Sequence, residues 1–265
     1  MGFEKTRILI TVITYPVPSA KYNELVCTAG LTEAGEWVRI YPIPYRHLPY
    51  NKHYHKFQWI EIELDRDGRA NDKRRESWGL RIDTLRVLGD PIGTKDNWRE
   101  RRHYIDRLPH NSLTQLEEQF ELDRTSLGVV RPKRMLDFLY QPVGEQWSEA
   151  QLAKLKQLML FDQNPALLTK IPYKFSVRFE CEDGKEYTRM IEDWETGMLY
   201  LNEEKRLGSQ EAAAESVRAK YLNDVFSPKR DPRLFVGTTH PYNTWIIVGV
   251  FWPPLVKQPE FDLGV

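Results

Sequence analysis

The stretch Gly35-Glu36-Trp37-Val38-Arg39-Ile40-Tyr41-Pro42 decides how this chain is read. From Trp37 to Tyr41 the side chains alternate in kind. In an extended strand Val38 and Ile40 fall on one face, while Trp37, Arg39 and Tyr41 fall on the other. The apolar face is the better core candidate, which leaves a Trp-Arg-Tyr stripe pointing outward. The competing arrangement packs Trp37 into the core and pairs Arg39 with a carboxylate. Strand signals lie on both sides. Arg7 to Thr14 is rich in β-branched residues and stops at the proline-punctuated Tyr15-Pro16-Val17-Pro18. Leu25 to Gly30 reads as a second strand, with a turn at Glu33-Ala34-Gly35-Glu36 before the Trp37 strand. In Trp59 to Asp65, Ile60, Ile62 and Leu64 point one way and Glu61, Glu63 and Asp65 the other.

The pattern changes near Lys95. Ser112 with Gln115 forms a capping-box signature ahead of Leu113, Leu116 and Phe120 at helical spacing. Ser148 with Gln151 repeats it ahead of Leu152, Leu155, Leu158 and Met159, and Leu127 to Pro132 reads as a turn and short strand. Strands return at Tyr173 to Glu180. A hairpin turn at Glu182-Asp183-Gly184-Lys185 then leads into Glu186 to Ile191. Glu211 to Leu222 is Ala-rich and helical, Asn243 to Trp252 is a strand, and Pro253-Pro254 ends regular structure. The expected architecture is a β-rich α+β protein. It comprises a β domain at 1–94, a helical connecting segment at 95–168, a second β domain at 169–256 and a tail at 257–265.

Composition narrows the function classes. With 265 residues, 41% of them hydrophobic and 29% charged, the chain can bury a core and does not read as disordered. Its longest apolar runs, Ile8 to Ile13 and Trp245 to Trp252, are well short of the roughly 20 residues that span a bilayer. The first residues lead straight into a strand, with no visible signal peptide. Cys27 and Cys181 read as reduced thiols, so the expectation is a cytoplasmic protein without membrane contact. Two cysteines cannot form a Cys-rich zinc site, and no cofactor or metal is expected. GxSxG, P-loop, GxGxxG and HExxH motifs are absent. Lys and Arg number 38, as do Asp and Glu, yet residues 1–107 hold 19 basic and 15 acidic residues against 19 and 23 beyond. That asymmetry is compatible with a polyanion-facing N-terminal part.

Several segments resemble the dual OB-containing domain proteins. They are Ile8 to Thr11, Val26-Cys27-Thr28-Ala29-Gly30-Leu31, and Gly35 to Pro42. Arg75-Glu76-Ser77 sits where that family tends to carry a glutamate. Phe175 to Phe179, Asp193-Trp194 and Trp245 to Val250 fit its second barrel more loosely. The resemblance implies two small OB-like β-barrels of the oligonucleotide-binding type in a prokaryotic protein of phage and mobile-element conflict. Such barrels stack bases on exposed aromatics while Lys and Arg track phosphates. The nucleic-acid-binding candidates are therefore Tyr15, Tyr22, Trp37, Arg39, Tyr41 and Arg46, followed by Arg74, Arg75 and Trp78. The expected partner is DNA or RNA, single-stranded or modified, with anti-phage defence as the context that the resemblance implies. A protein partner from the same operon is a further expectation.

Other constellations are weaker. Arg99-Glu100-Arg101-Arg102-His103 reads as a solvated, salt-bridged face or as a grip on phosphates. His47, His53 and His55 read as surface histidines. For catalysis the candidates are Glu61, in the cluster with Glu63 and Asp65, and Asp193, in the cluster with Glu192 and Glu195 and beside Trp194. A carboxylate next to a pocket that takes up a base is what cleavage of an N-glycosidic bond requires, and a metal-dependent nuclease needs clustered carboxylates. An enzyme acting on nucleic acid, either a glycosylase for a modified base or a nuclease, is thus the alternative to simple binding. A protein-interaction module is the third reading.

Overall fold

The computed structural model describes residues 2–19, 23–66, 72–149, 152, 168–240 and 242–256. Strand β1 (Glu4–Ile13) is buried without interruption from Ile8 to Ile13. A strand covered on both faces shows no alternation of apolar and polar residues, and β1 has both faces covered. One face looks into a ring of strands. Around that ring β1 pairs with β3 (Asn23–Thr32) and β5 (Trp59–Asp65), β3 pairs with β4 (Trp37–Ile43), and β5 pairs with β6 (Ser77–Leu88). A parallel pairing of Arg39 with Ser77 and Ile40 with Trp78 joins β4 to β6 and closes it. The short β2 (Val17–Ser19) extends the β3 edge.

The ring is filled by Ile8, Ile10, Ile13, Val38, Ile40, Ile60, Ile62 and Leu64. The alternation read in the Trp37 and Trp59 strands therefore points the expected residues inward. A bulge between Ile10 and Val12 changes the phase of β1, so that Ile13 continues the inner row while Leu9 and Val12 face out. Only glycine fits opposite β1 at position 30, because a Cβ there would lie 2.2 Å from the Leu9 carbonyl oxygen.

Helix α1 (Lys95–Ile105) follows the ring and opens with a left-handed turn at Asp96, Asn97 and Trp98. The second half contains β7 (His110–Asn111), α2 (Leu113–Asp123), β8 (Leu127–Val130), β9 (Arg134–Pro142), β10 (Tyr173–Glu180) and β11 (Glu186–Met190). After these come α3 (Trp194–Leu207), α4 (Gln210–Lys220), β12 (Arg233–Thr238) and β13 (Trp245–Phe251). Within the stretch expected as a helical connector, the strands that follow α2 pair with this half: β8 with β12, and β9 with β10. The short strand read from Leu127 is β8, while β9 gave no clear strand signal because it mixes charged and apolar residues. Pairing continues from β10 to β11 and from β12 to β13, and a parallel bridge between Ile191 and Ile247 carries β11 onto β13. Ser112 and Gln115 form the expected reciprocal cap on α2. The helix expected from Ser148 to Met159 lies, for most of its length, outside the described residues. No helix among the described residues is long and apolar enough to cross a membrane.

The other face of β1, together with β3 and β4, meets the second half. Leu9, Val12, Ala29 and Leu31 pack with Leu127, Val129, Phe235, Ile246 and Val248. This overturns the expected solvent-facing stripe. Trp37, Arg39 and Tyr41 do point away from the ring core, but that side is covered: Trp37 meets Phe235 edge-on at 5.8 Å, Arg39 is only 1% exposed and Tyr41 is partly buried. Arg39 donates to Ser126 Oγ at 2.8 Å and to the Ser126 carbonyl at 3.0 Å. From the other side the Glu76 carboxylate accepts the Ser126 N–H at 2.9 Å and the Ser126 hydroxyl at 2.6 Å. Nearby, Arg74 grips Asp72 through two nitrogens and reaches the Thr238 carbonyl at 2.7 Å. Burial would raise the Asp72 carboxyl, but the hydrogen bonds and charge of Arg74 more than offset that and hold it below the ordinary carboxylate range.

Removing one member of such a network leaves the others buried and unpaired. Glu76→Ala is expected to lower unfolding stability by about 3–5 kcal/mol in urea denaturation. Arg75→Ala, which removes an exposed ion pair to Asp123, is expected to stay within about 1 kcal/mol. Equal effects would contradict the account of the junction.

Candidate functional site

Thr14, one residue past β1, bridges Asp193, and the Tyr15 N–H donates to the Glu192 carbonyl at 3.1 Å. The Glu192 N–H in turn donates to the Ile247 carbonyl at 2.9 Å. These backbone bonds fix the segment 191–193 between the ring and β13. Asp193 is extended and begins α3 as its N-cap, but its side chain turns away from the helix to Lys56. Lys56 also donates to Glu195 at 3.1 Å.

Lys56 and Asp193 are held out of water, whereas Glu195 is exposed. Asp193 is 2% exposed. Burial pushes its carboxyl up to about 6, against the opposing pull of Lys56. Burial alone would lower Lys56, but the charges of Asp193 and Glu195 outweigh that and raise it above the ordinary lysine range. The ammonium is therefore a fixed positive charge, and Asp193 is a carboxyl that exchanges its proton near neutral pH.

Cavities adjoin this segment on either side. The first, of about 280 Å³, is lined by Tyr15, Trp147, Tyr173, Phe175, Met190 and Ile191, with Lys170, Lys174, Glu192 and Asp193 as its charged residues. The Tyr15 hydroxyl donates to the Thr169 carbonyl at 2.9 Å, and the Trp147 indole N–H donates to the Leu168 carbonyl at 3.1 Å. Position 197 has to be glycine for Tyr15 to lie where it does, since a Cβ there would stand 2.4 Å from the ring. The second cavity, of about 560 Å³, is lined by Tyr45, His55, Lys56, Arg101, Trp194, Glu195 and Asn202, among others. An aromatic row runs from one to the other: Trp194 lies 6.1 Å from Tyr15 and 5.3 Å from Tyr45.

Of the residues singled out in the sequence, Tyr15 and Asp193 come together here. Tyr22 lies outside the described residues. Trp37, Arg39 and Tyr41 belong to the junction described above, as does Arg74. Trp78 is 9% exposed, on the inner side of the ring, with the Arg66 guanidinium 4.4 Å over it. Arg46 is partly buried and lines neither cavity, and Arg75 is exposed and paired with Asp123. Glu61 also lines neither cavity and lies within 4.0 Å of Arg7 and 3.7 Å of Arg86. In the basic run, Arg99 pairs with Asp96, and Arg102 donates to the Pro254 carbonyl at 2.6 Å. Arg101 lines the second cavity, with its guanidinium 4.4 Å from the Phe57 ring. Lys56, Trp147 and Gly197 carried no local signal, because segments far apart in the chain assemble them, whereas Glu192 stood in the carboxylate cluster with Asp193 and Glu195. No group of three or more His, Cys, Asp or Glu residues suited to a metal ion occurs among the described residues.

Residues 4–107 match a family model described as a domain of unknown function (DUF8758), and residues 109–263 match another so described (DUF8757). The second match covers more than half the sequence, and the chain belongs to that family. No curated protein matches the sequence. The two matches meet between α1 and β7, where the ring gives way to the second half.

The state of Asp193 has a measurable consequence. Its carboxyl is raised in the folded state, so folding favours the protonated form. The stabilisation from that proton is complete below about pH 4 and is lost as pH rises through about 6. Relative to Asp193→Asn, wild-type stability is expected to fall by roughly 2 kcal/mol between about pH 4 and pH 7. Urea denaturation of both proteins at the two pH values checks this; a difference that does not change with pH would contradict it.

Proposed function

We propose that this protein binds single-stranded nucleic acid and seats one unpaired base in the cavity beside Tyr15. The observation that carries the reading is that cavity: about 280 Å³, with Tyr15, Trp147 and Tyr173 among its walls and Lys170 and Lys174 beside them. Its size is at the lower end of ligand pockets, roughly 300–1,000 Å³. That suits one flat ring system.

Strand connectivity supports the same reading. In the first half, counting only ring strands, the first pairs with the second and fourth, and the third runs parallel to the fifth. This is the connectivity of an oligonucleotide-binding barrel. The second half fits a similar scheme if β8 and β9 serve together as its first strand. Its third strand, β11, then meets its fifth, β13, in parallel, and α3 and α4 lie between the third and the fourth. In such barrels ligands use the face of the second and third strands and the loops beside it, including the loop from the first strand to the second. Here the second half covers that face. The loop remains, and Tyr15 stands at its start. In the cavity beyond Trp194, the Arg101 guanidinium offers positive charge to an adjoining phosphate.

A second reading rests on Asp193. A carboxyl that exchanges its proton near neutral pH is suited to general acid or base chemistry, and Asp193 forms part of the wall of this cavity. Cleavage of the N-glycosidic bond of a bound nucleoside is the reaction it would serve. Incubation with oligonucleotides followed by alkali separates the readings, because strand breaks that appear only after alkali mark abasic sites.

Binding itself is tested by titrating labelled single- and double-stranded oligonucleotides at several salt concentrations. Affinity for single strands that falls with salt is expected. Tyr15→Ala should weaken it about 5- to 150-fold, the loss of one stacked base. Gly197→Ala, which pushes the Tyr15 ring from its place, should weaken binding in the same direction, and Tyr50→Ala, at an exposed ring that lines neither cavity, should not. No binding at low salt, or binding indifferent to Tyr15, would overturn the proposal.

A further inference from the structure

Glu192 lines the same cavity, between Ile191 and Asp193, which are both buried. Its backbone is held on both sides, by Tyr15 and by Ile247. The residue is partly exposed, and its carboxyl meets no donor or cation among the described residues that would offset its burial. Lys170 lines the cavity too, but its ammonium donates to the carbonyls of Val143 at 3.2 Å and Gln146 at 2.7 Å. Burial pushes the Glu192 carboxyl up, with no partner to offset it. A half-buried carboxylate that meets no protein donor loses part of its hydration without replacement, which disfavours its charged form. Here the unpaired acceptor stands in an aromatic-walled space, where a ligand can supply what the protein does not.

The two oxygens of a carboxylate are best met by two adjacent N–H donors. Among the common bases only guanine presents such a pair on its pairing edge, at N1 and the N2 amino group. Adenine and cytosine place a ring acceptor beside the exocyclic amino group, and that acceptor would face a carboxylate oxygen. Uracil and thymine offer a single N–H between carbonyls. Resting on the base-binding reading above, we propose that Glu192 selects guanine, taking its N1 and N2 hydrogens with the two carboxylate oxygens.

The test uses the full-length protein and oligothymidylates carrying one central guanine, hypoxanthine, adenine or cytosine. Hypoxanthine keeps the N1 hydrogen and lacks the N2 amino group. Guanine is expected to bind about 5- to 150-fold more tightly than adenine or cytosine, the discrimination of one good bidentate pair, with hypoxanthine between them. Glu192→Gln, nearly identical in shape, should erase the preference while leaving the melting temperature unchanged or raised. Equal affinities for the four oligonucleotides, or a guanine preference that survives Glu192→Gln, would overturn the assignment and leave the base-binding reading standing. Failure of all four to bind at low salt would overturn both. If the variant does not fold, the wild-type series alone decides between these outcomes.

Discussion

Glu76 and Arg39 give up water only because Ser126 takes its place. The arginine meets the serine carbonyl and hydroxyl, and the glutamate meets its amide and hydroxyl, so a single residue of the second half contacts both charged groups of the ring, while the buried Arg39 Nε has no partner among the described residues. Isolated buried charges are unfavourable, and these two are tolerated only when the halves are docked in one arrangement. The apolar contacts of Leu9, Val12, Ala29 and Leu31 supply area without direction; the charged contacts fix the register. Everything else about the site depends on that docking. It covers the β3–β4 face, and it brings the 191–193 segment against the end of β1.

That constraint explains which features the sequence disclosed. Alternation within a strand is local, so Val38 and Ile40, and Ile60, Ile62 and Leu64, point into the ring as their spacing predicted. Capping is local too, and Ser112 with Gln115 caps α2. What covers the far side of a strand is not local. Trp37, Arg39 and Tyr41 have the composition of a ligand-binding stripe, and the same composition serves a junction in which the guanidinium finds its partners 87 residues away in the chain. β9 went unnoticed because its residues do not alternate cleanly, and α3 because Asp193 and Trp194 drew attention as chemistry rather than as a helix start.

The candidate site was half legible. Tyr15 and Asp193 stood out by residue type, as a ring beside prolines and a carboxylate beside a tryptophan. Their proximity did not, because 178 positions separate them and only the Thr14–Asp193 bridge brings them together. Lys56 comes from the turn before β5 and Gly197 from the first turn of α3, and neither position has a local pattern that marks it. Their roles follow from packing: the lysine compensates two carboxylates, and the glycine leaves room for a ring. The result is a segment with an aromatic cavity on one side and a polar cavity that contains Arg101 on the other, divided by the Trp194 indole. That division matches the two chemistries of a nucleotide, flat base and charged phosphate.

Photocrosslinking measures most directly where a strand lies. An oligonucleotide carrying 4-thiothymidine is irradiated in complex with the full-length protein, and the adducts are mapped by peptide mass spectrometry. The account predicts adducts on peptides containing Tyr15, Trp147 or Tyr173, and their loss when Gly197 is replaced by Ala. Adducts concentrated on Trp37 and Tyr41 would contradict it, because they would mean that the β3–β4 face is open to ligand and that the junction built on Ser126 does not hold in solution.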